Sequence, residues 1–202
     1  MFIKLGILLI GFTQASLLPH FIKKALKFVD LDLNKFTLSF LSNKDLYGDS
    51  FVKGYKWLLF VTAFLTYFFF LLLTSFYDLR GYNQLMQYID FGCLSLASLA
   101  FVPHNIRPFS KEAVKTNMQR ILHNLLAVIV FLSLPGLILT FQLIVLADFK
   151  VLGVVGTIII GLMMIFVALS IIKNGINGIT ELIFINGISL WTIFVTIMTV
   201  LG

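Results

Sequence analysis

The chain has 202 residues, a formal net charge of +6, 59% hydrophobic residues and only 12% charged residues. Soluble domains carry about 25% charged residues and about 45–50% apolar ones, so this composition excludes an ordinary soluble fold. A bilayer accommodates the excess, because lipid tails are as apolar as Leu and Phe side chains. The single cysteine, Cys93, excludes an internal disulfide. The basic excess is typical of loops that face anionic lipid, and no nucleic-acid partner is indicated.

Six apolar runs approach or exceed the roughly 20 residues that a helix needs to cross the hydrocarbon core. They are approximately residues 2–18, 54–76, 85–102, 121–147, 151–172 and 179–201. We therefore predict an all-α, polytopic membrane protein with a bundle of six transmembrane helices. Residues 1–202 form one integral membrane domain in this interpretation.

The first run is short, and two interpretations of it are open. Its lysine, Lys4, its apolar stretch and the small residues near Ala15 resemble a cleavable secretory signal. The alternative is an uncleaved first membrane helix that ends at Pro19, which is the interpretation we favour.

Only the connection between the first two runs, residues 20–53, is long. Phe21, Ala25 and Phe28 share one helical face there, while the neighbouring lysines lie elsewhere. This pattern predicts a helix in the membrane interface with snorkelling lysines. A solvated juxtamembrane loop fits the sequence equally well.

Lys and Arg residues are distributed unevenly between the two membrane faces. The N-terminus and the second and fourth loops carry three of them, whereas the first, third and fifth loops carry the other twelve. The positive-inside rule therefore places the first, third and fifth loops in the cytoplasm.

Asp90 is the acidic residue that lies within the third run. A carboxylate at membrane depth is costly, so we expect it to face the bundle interior and to have a partner. It would then be either a proton or ligand site, or a hydrogen-bond anchor between helices.

A polar cluster opens the fourth run. Asn117, Arg120 and Asn124 share a helical face by their spacing, and His123 lies beside it. Arg120 could bind a phosphate or carboxylate through two hydrogen bonds, and His123 could transfer protons near neutral pH. The alternative is structural, with Arg120 snorkelling and His123 bonded to a neighbouring helix. Twelve residues separate Asp90 from the end of its run, so we expect Arg120 and His123 to share a pocket apart from Asp90.

A second polar stripe begins the last run with Asn174, Asn177 and Glu181, and should face protein, where it binds a ligand or joins helices. The histidines lack metal-ligand spacing, so no metal or cofactor is indicated.

The layout resembles the six-helix membrane-protein family called domain of unknown function 998, found in bacteria and archaea. The matching segments are Phe36-Thr37-Leu38-Ser39-Phe40-Leu41-Ser42-Asn43, Val102-Pro103-His104, the pair His123 and Ala127, Gly178-Ile179-Thr180-Glu181, and Leu190-Trp191. The family is similar to eukaryotic Frag/DRAM-type proteins, some of which handle lipids or GPI anchors. The resemblance thus implies six helices in a bacterial or archaeal cell membrane. Leu182 departs from the basic residue expected after the family's glutamate. Relatives also imply an extracytoplasmic first loop, and we keep the orientation that the charge count predicts.

Three functions fit these features. In the first, the protein binds or processes a lipid or other amphiphile between its helices, with the headgroup near Arg120, His123 and Asn124. Asp90 and Glu181 would assist, and whether a reaction follows is open. In the second, it is a non-catalytic scaffold or accessory subunit, with a membrane-protein partner or a second copy. The third, a small-solute transporter, has less support because no broken helices or inverted halves are visible.

The predicted orientation can be tested with cysteines at Lys44 and Lys111 in a Cys93→Ser background. We expect both thiols to be shielded from a membrane-impermeant reagent in intact cells, because both loops should be cytoplasmic. Ready labelling of both positions would show that the orientation is the reverse of the one predicted.

Overall fold

The computed structural model describes residues 2–42, 44–102 and 114–202, and for 44–47 and 114–116 it describes the backbone alone. Regular structure in these ranges is entirely helical. The helices are α1 (Phe2–Ala25), α2 (Lys44–Phe76), α3 (Asn83–Leu99), α4 (Val114–Val145), α5 (Lys150–Asn174) and α6 (Gly178–Leu201), with one 3-10 helix, η1 (Leu38–Ser42). The predicted all-α fold with six helices is confirmed.

Five of the described helices are long and apolar enough to cross a membrane. The exception is α3, whose 17 residues extend only about 25 Å at 1.5 Å per residue. Residues 100–102, which the sequence places in the third span, form turns instead.

Pro19 was expected to end the first helix, and this expectation is wrong. The helix α1 continues through Pro19 to Ala25, so residues 21–25 extend the first span and do not form a separate interfacial helix. Phe21 and Phe28 are exposed, whereas Ile22 is buried. A proline removes a single backbone donor, which a helix packed against neighbours on two sides can tolerate.

The helices form a closed ring. Each packs against the one before and the one after it, and α6 returns to pack against α1. Because consecutive helices alternate in direction, the ring has two distinct ends. The end that holds η1 and the starts of α2, α4 and α6 carries most of the basic residues, and we call it the basic end.

An aromatic cluster fills the middle of the ring. The Trp191 side chain is fully buried, stacks on Phe70 at 5.7 Å between ring centroids, and meets Phe69 and Phe141 edge-on. The Gln142 amide, oriented to satisfy both neighbours, accepts from the Trp191 indole N–H at 2.6 Å and donates to the Leu152 carbonyl at 2.9 Å. This polar link joins α4, α5 and α6 within an apolar core.

The first loop docks on the beginning of α6 in an arrangement that we call the α6 clasp. Phe36 and Leu33 offer carbonyl oxygens to the backbone N–H groups of Gly178, at 2.8 Å, and Ile179, at 3.3 Å. The N-cap Asn177 accepts from the Thr180 N–H at 3.0 Å and donates to the Asn34 carbonyl at 3.1 Å. The loop thereby satisfies N–H groups that a helix start otherwise leaves unpaired.

The close approach of this loop requires a glycine at position 178. A Cβ atom there would lie 2.5 Å from the Leu33 Cδ2 and 2.9 Å from the Phe36 carbonyl oxygen. The Leu33 side chain could yield, but the backbone carbonyl is fixed by its hydrogen bond to Gly178 itself. The clasp therefore depends on this residue having no side chain.

We predict that Gly178→Ala destabilises the fold by about 1–3 kcal/mol through overpacking. The measurement is thermal unfolding in detergent. Unfolding is monitored through the reaction of a fluorogenic reagent with the Cys93 thiol, which is buried in the folded protein. We expect the midpoint to fall by several degrees. Gly161→Ala is the matched control, because an added methyl there meets no described atom within 4 Å. Equal midpoints for the two variants would contradict the close approach.

Candidate functional site

A cavity of about 490 Å³ lies at the basic end, and we call it the basic-end cavity. Its walls come from the first loop, α4, α5 and the start of α6. The lining residues are Lys35, Thr37, Ser39, Phe40, Arg120, His123, Asn124, Ala127, Val128, Phe131, Leu132, Ile171, Ile176 and Glu181. Four of the six sequence candidates, Arg120, His123, Asn124 and Glu181, are thus brought together.

One face of α4 supplies the polar part of this cavity. His123 and Asn124 lie three and four residues after Arg120, and Ala127 lies four and three residues after them, which places the four side chains on one helical face. Arg120 is half-buried and Asn124 is exposed. The guanidinium can make two parallel hydrogen bonds to a phosphate or carboxylate, and the Asn124 amide offers donors beside it.

His123 lines the cavity but is only 2% exposed, and its side chain also contacts the end of the neighbouring helix. Its Nδ1 lies 2.6 Å from the Val102 carbonyl oxygen, just beyond the end of α3. Because a carbonyl only accepts, the ring proton belongs on Nδ1, and in the neutral ring Nε2 is then an acceptor. The contact fixes the ring orientation at the cavity wall.

The first loop contributes residues that sequence reasoning missed. Lys35 lines the cavity and forms an exposed ion pair with Asp32 at 3.3 Å. The Asn34 backbone N–H and this lysine together lower the pKa of Asp32. The hydroxyls of Thr37 and Ser39 lie 2.6 Å apart on the same wall. These residues follow no helical period, so only the docked loop reveals them.

Glu181 stands between two cavities. Its carboxylate accepts a hydrogen bond from the Leu38 backbone N–H in the α6 clasp. It lines the basic-end cavity and also a smaller core cavity of about 110 Å³ inside the ring. Phe131, stacked on Phe184 at 4.3 Å, borders both spaces as well.

The core cavity is mostly apolar, and part of its lining offers hydrogen-bond acceptors. Gln14 donates to the Thr66 hydroxyl oxygen at 3.1 Å, while its own amide oxygen is buried and accepts nothing from the described residues. The hydroxyl protons of Thr62 and Thr192 already go to the carbonyls of Leu58 and Ile188. A hydrogen-bond donor that enters this cavity could therefore bind the Gln14 amide oxygen.

Two of the sequence candidates lie elsewhere. Asn117 is half-buried at the start of α4 and does not line the cavity. Asp90 was expected to face the bundle interior, and this expectation is wrong, because its side chain is exposed in a groove between α2 and α3. Arg120 and His123 share a pocket that excludes Asp90, in agreement with the helix-length argument.

The second polar stripe continues along α6 at helical spacing to Thr192 and Thr196, and most of it faces protein. Asn177, Thr192 and Thr196 are almost fully buried, and the hydroxyls of both threonines donate to carbonyls of their own helix. Asn174, at the end of α5, is exposed and departs from the expectation.

Fold and composition together define a multi-pass integral membrane protein with an α-helical bundle. No protein-family model, curated protein or solved structure matches the chain. Membership of the family called domain of unknown function 998 therefore stays a prediction from the sequence.

The contact between Glu181 and Leu38 can be tested by amide hydrogen exchange. Hydrogen bonds to charged groups contribute about 1.5–3 kcal/mol, so Glu181→Ala should accelerate exchange in residues 37–42 by roughly tenfold or more. Glu181→Gln retains an acceptor oxygen and should have a smaller effect. Asn186→Ala is the control, because the exposed Asn186 side chain donates to the Leu182 carbonyl of its own helix and to no other described residue. If the amides of residues 37–42 exchange at the same rate in Glu181→Ala and Asn186→Ala, the carboxylate does not hold the loop.

Proposed function

We propose that the protein binds a membrane amphiphile with an anionic headgroup in the basic-end cavity. One observation carries this proposal: Arg120, His123 and Asn124 share a cavity that continues along α4 to exposed apolar residues. The volume of about 490 Å³ is within the range of about 300–1,000 Å³ typical of ligand pockets.

The polar part of the cavity suits an anion. Arg120 carries a permanent charge with a planar donor geometry that matches phosphate and carboxylate. The Asn124 amide and the hydroxyls of Thr37 and Ser39 add neutral donors nearby. Glu181 is an acidic residue of the same lining, and its negative charge would repel an anion. Its hydrogen bond from the Leu38 N–H directs at least one carboxylate oxygen toward the α6 clasp.

The apolar part of the cavity suits an acyl or isoprenoid chain. Val128 and Leu132 of α4 line it and are 44% and 65% exposed, and Ile176 is 51% exposed on the opposite wall. From Arg120 to Leu132 is twelve residues, or about 18 Å along the helix. A ligand could thus place its headgroup at Arg120 while its chain lies between α4 and α5 toward the lipid.

The location also favours an anionic lipid. The cavity is at the basic end, which the charge count predicts to be cytoplasmic, and the cytoplasmic leaflet is where anionic lipids are enriched. In this proposal, membrane lipids surround the protein and one of them also binds to it as a ligand. The proposal does not depend on the family resemblance.

A non-catalytic scaffold is the second candidate, and it also has a specific observation in its favour. His123 bonds to Val102 and Glu181 to Leu38, so two of the cavity's polar side chains have structural partners within the chain. In this reading the polar groups join α3, α4, α6 and the first loop, and no ligand is needed.

The two candidates differ in how Arg120→Gln affects lipid binding. The protein in mild detergent would be titrated with phosphatidylglycerol or phosphatidylcholine, and bound lipid counted by native mass spectrometry. We expect Arg120→Gln to weaken phosphatidylglycerol binding about tenfold, because a charge-assisted contact contributes about 1.5–3 kcal/mol. Phosphatidylcholine binding should change little.

Two further variants complete the design. Arg80→Gln makes the same charge change at the opposite end, where Arg80 donates to the Ser75 hydroxyl, and it should leave binding unchanged. Val128→Trp should obstruct the apolar mouth and reduce binding of both lipids. If Arg120→Gln binds phosphatidylglycerol as well as the unaltered protein does, the scaffold interpretation replaces the lipid-binding one.

A further inference from the structure

A groove of about 390 Å³ runs between α2 and α3 on the outer surface of the ring, and we call it the α2–α3 groove. It is separate from both cavities described above. Its lining is Phe60, Ala63, Phe64 and Tyr67 of α2 with Asp90, Cys93, Leu94 and Ala97 of α3. Asp90 is the one charged residue among them, and its carboxylate has no hydrogen bond or ion pair to any described residue.

Asp90 lies on α3 beyond the exposed polar residues Asn83, Gln84 and Gln87 of the first two turns. Asp90 is seven residues from the start of α3, which is about 10 Å, and it shares the groove with Tyr67, nine residues or about 13 Å from the end of α2. Residues 68–76 contain no charged side chain. If both helix ends lie at the edge of a hydrocarbon core about 30 Å thick, these distances correspond to between one third and one half of the way across.

The side chains around Asp90 are mostly apolar, and two of the large ones are exposed. Phe64 is 55% exposed and Leu94 is 68% exposed beside it. A charged group on such a surface is costly, and intramembrane carboxylates are almost always paired. The cost disappears when a cation from another molecule meets the carboxylate in the groove.

The described helices carry no Lys or Arg at the level of Asp90. Near the same end, Lys4 donates to the Val200 carbonyl at 3.2 Å and lies over the Phe76 ring, and Arg80 donates to Ser75. Lys150 is the first residue of α5. A second copy would therefore bring no basic residue to the level of Asp90 from the described helices.

We propose that the α2–α3 groove docks a transmembrane helix of a different protein, one that carries a Lys or Arg at the level of Asp90. Ala63 and Ala97 are small and allow a partner backbone to approach closely. The rings of Phe60, Phe64 and Tyr67 offer faces that attract a cation. The charge, the small residues and the aromatic rings thus favour the same occupant.

The test uses designed transmembrane peptides in lipid vesicles. Each peptide is a Leu/Ala helix with one residue, Lys, Leu or Asp, about one third of the way along, and a cysteine one turn away. The full-length protein carries Leu94→Cys in a Cys93→Ser background, and the measurement is the yield of disulfide cross-links to each peptide.

We expect the Lys peptide to cross-link at least fivefold more than the Leu peptide. Asp90→Asn should abolish this preference, whereas Asp78→Asn, the same charge change in the loop between α2 and α3, should preserve it. In Asp90→Lys the preference should reverse toward the Asp peptide, which shows that the altered protein is folded and that charge decides the pairing.

Two results would overturn the proposal. Equal cross-linking of the Lys and Leu peptides to the unaltered groove would mean that Asp90 does not recruit a cation. Self-cross-linking through Leu94→Cys that excludes all the peptides would mean that a second copy of this chain occupies the groove.

Discussion

The arrangement of the basic end depends on the backbone N–H groups in the first turn of α6, which need hydrogen-bond partners. A helix that starts at a membrane face leaves four backbone N–H groups without partners inside the helix, and little water is present to replace them. Three of these N–H groups donate to the carbonyls of Phe36 and Leu33 and to the Asn177 side chain. Since the first loop must be near α6 for these bonds to form, its apolar residues Leu38 and Leu41 are buried as well.

The position of the candidate site follows from this docking. Once the loop is fixed on α6, Lys35, Thr37 and Ser39 face the polar stripe of α4, and Glu181 becomes the link between loop and ring. Arg120 alone at a membrane face would be an ordinary snorkelling residue. The loop converts that face of the helix into an enclosed space with donors on two sides.

The two charged features of the molecule have opposite character and lie in different places. At the basic end, cationic and neutral donors line a cavity with an apolar mouth, which suits an anionic amphiphile. On the outer surface between α2 and α3, a carboxylate that pairs with no described residue lies in an aromatic groove, which suits a cationic helix. Ligand binding and assembly with a partner would therefore use separate surfaces of one bundle, and neither would obstruct the other.

The sequence by itself determined the membrane class, the six helices, the basic end and the grouping of Arg120, His123 and Asn124. Each of these four features depends on composition, on the distribution of charge or on a local helical period, so none requires knowledge of which helices pack together. Only the tertiary structure decided which side of α3 faces outward, that α1 continues past Pro19, and that the first loop completes the cavity. These outcomes depend on contacts between residues distant in the chain. Asp90 was assigned to the interior from the cost of burying a charge in lipid, yet α3 turns its small residues Gly92 and Ser95 inward because they allow close packing against the ring.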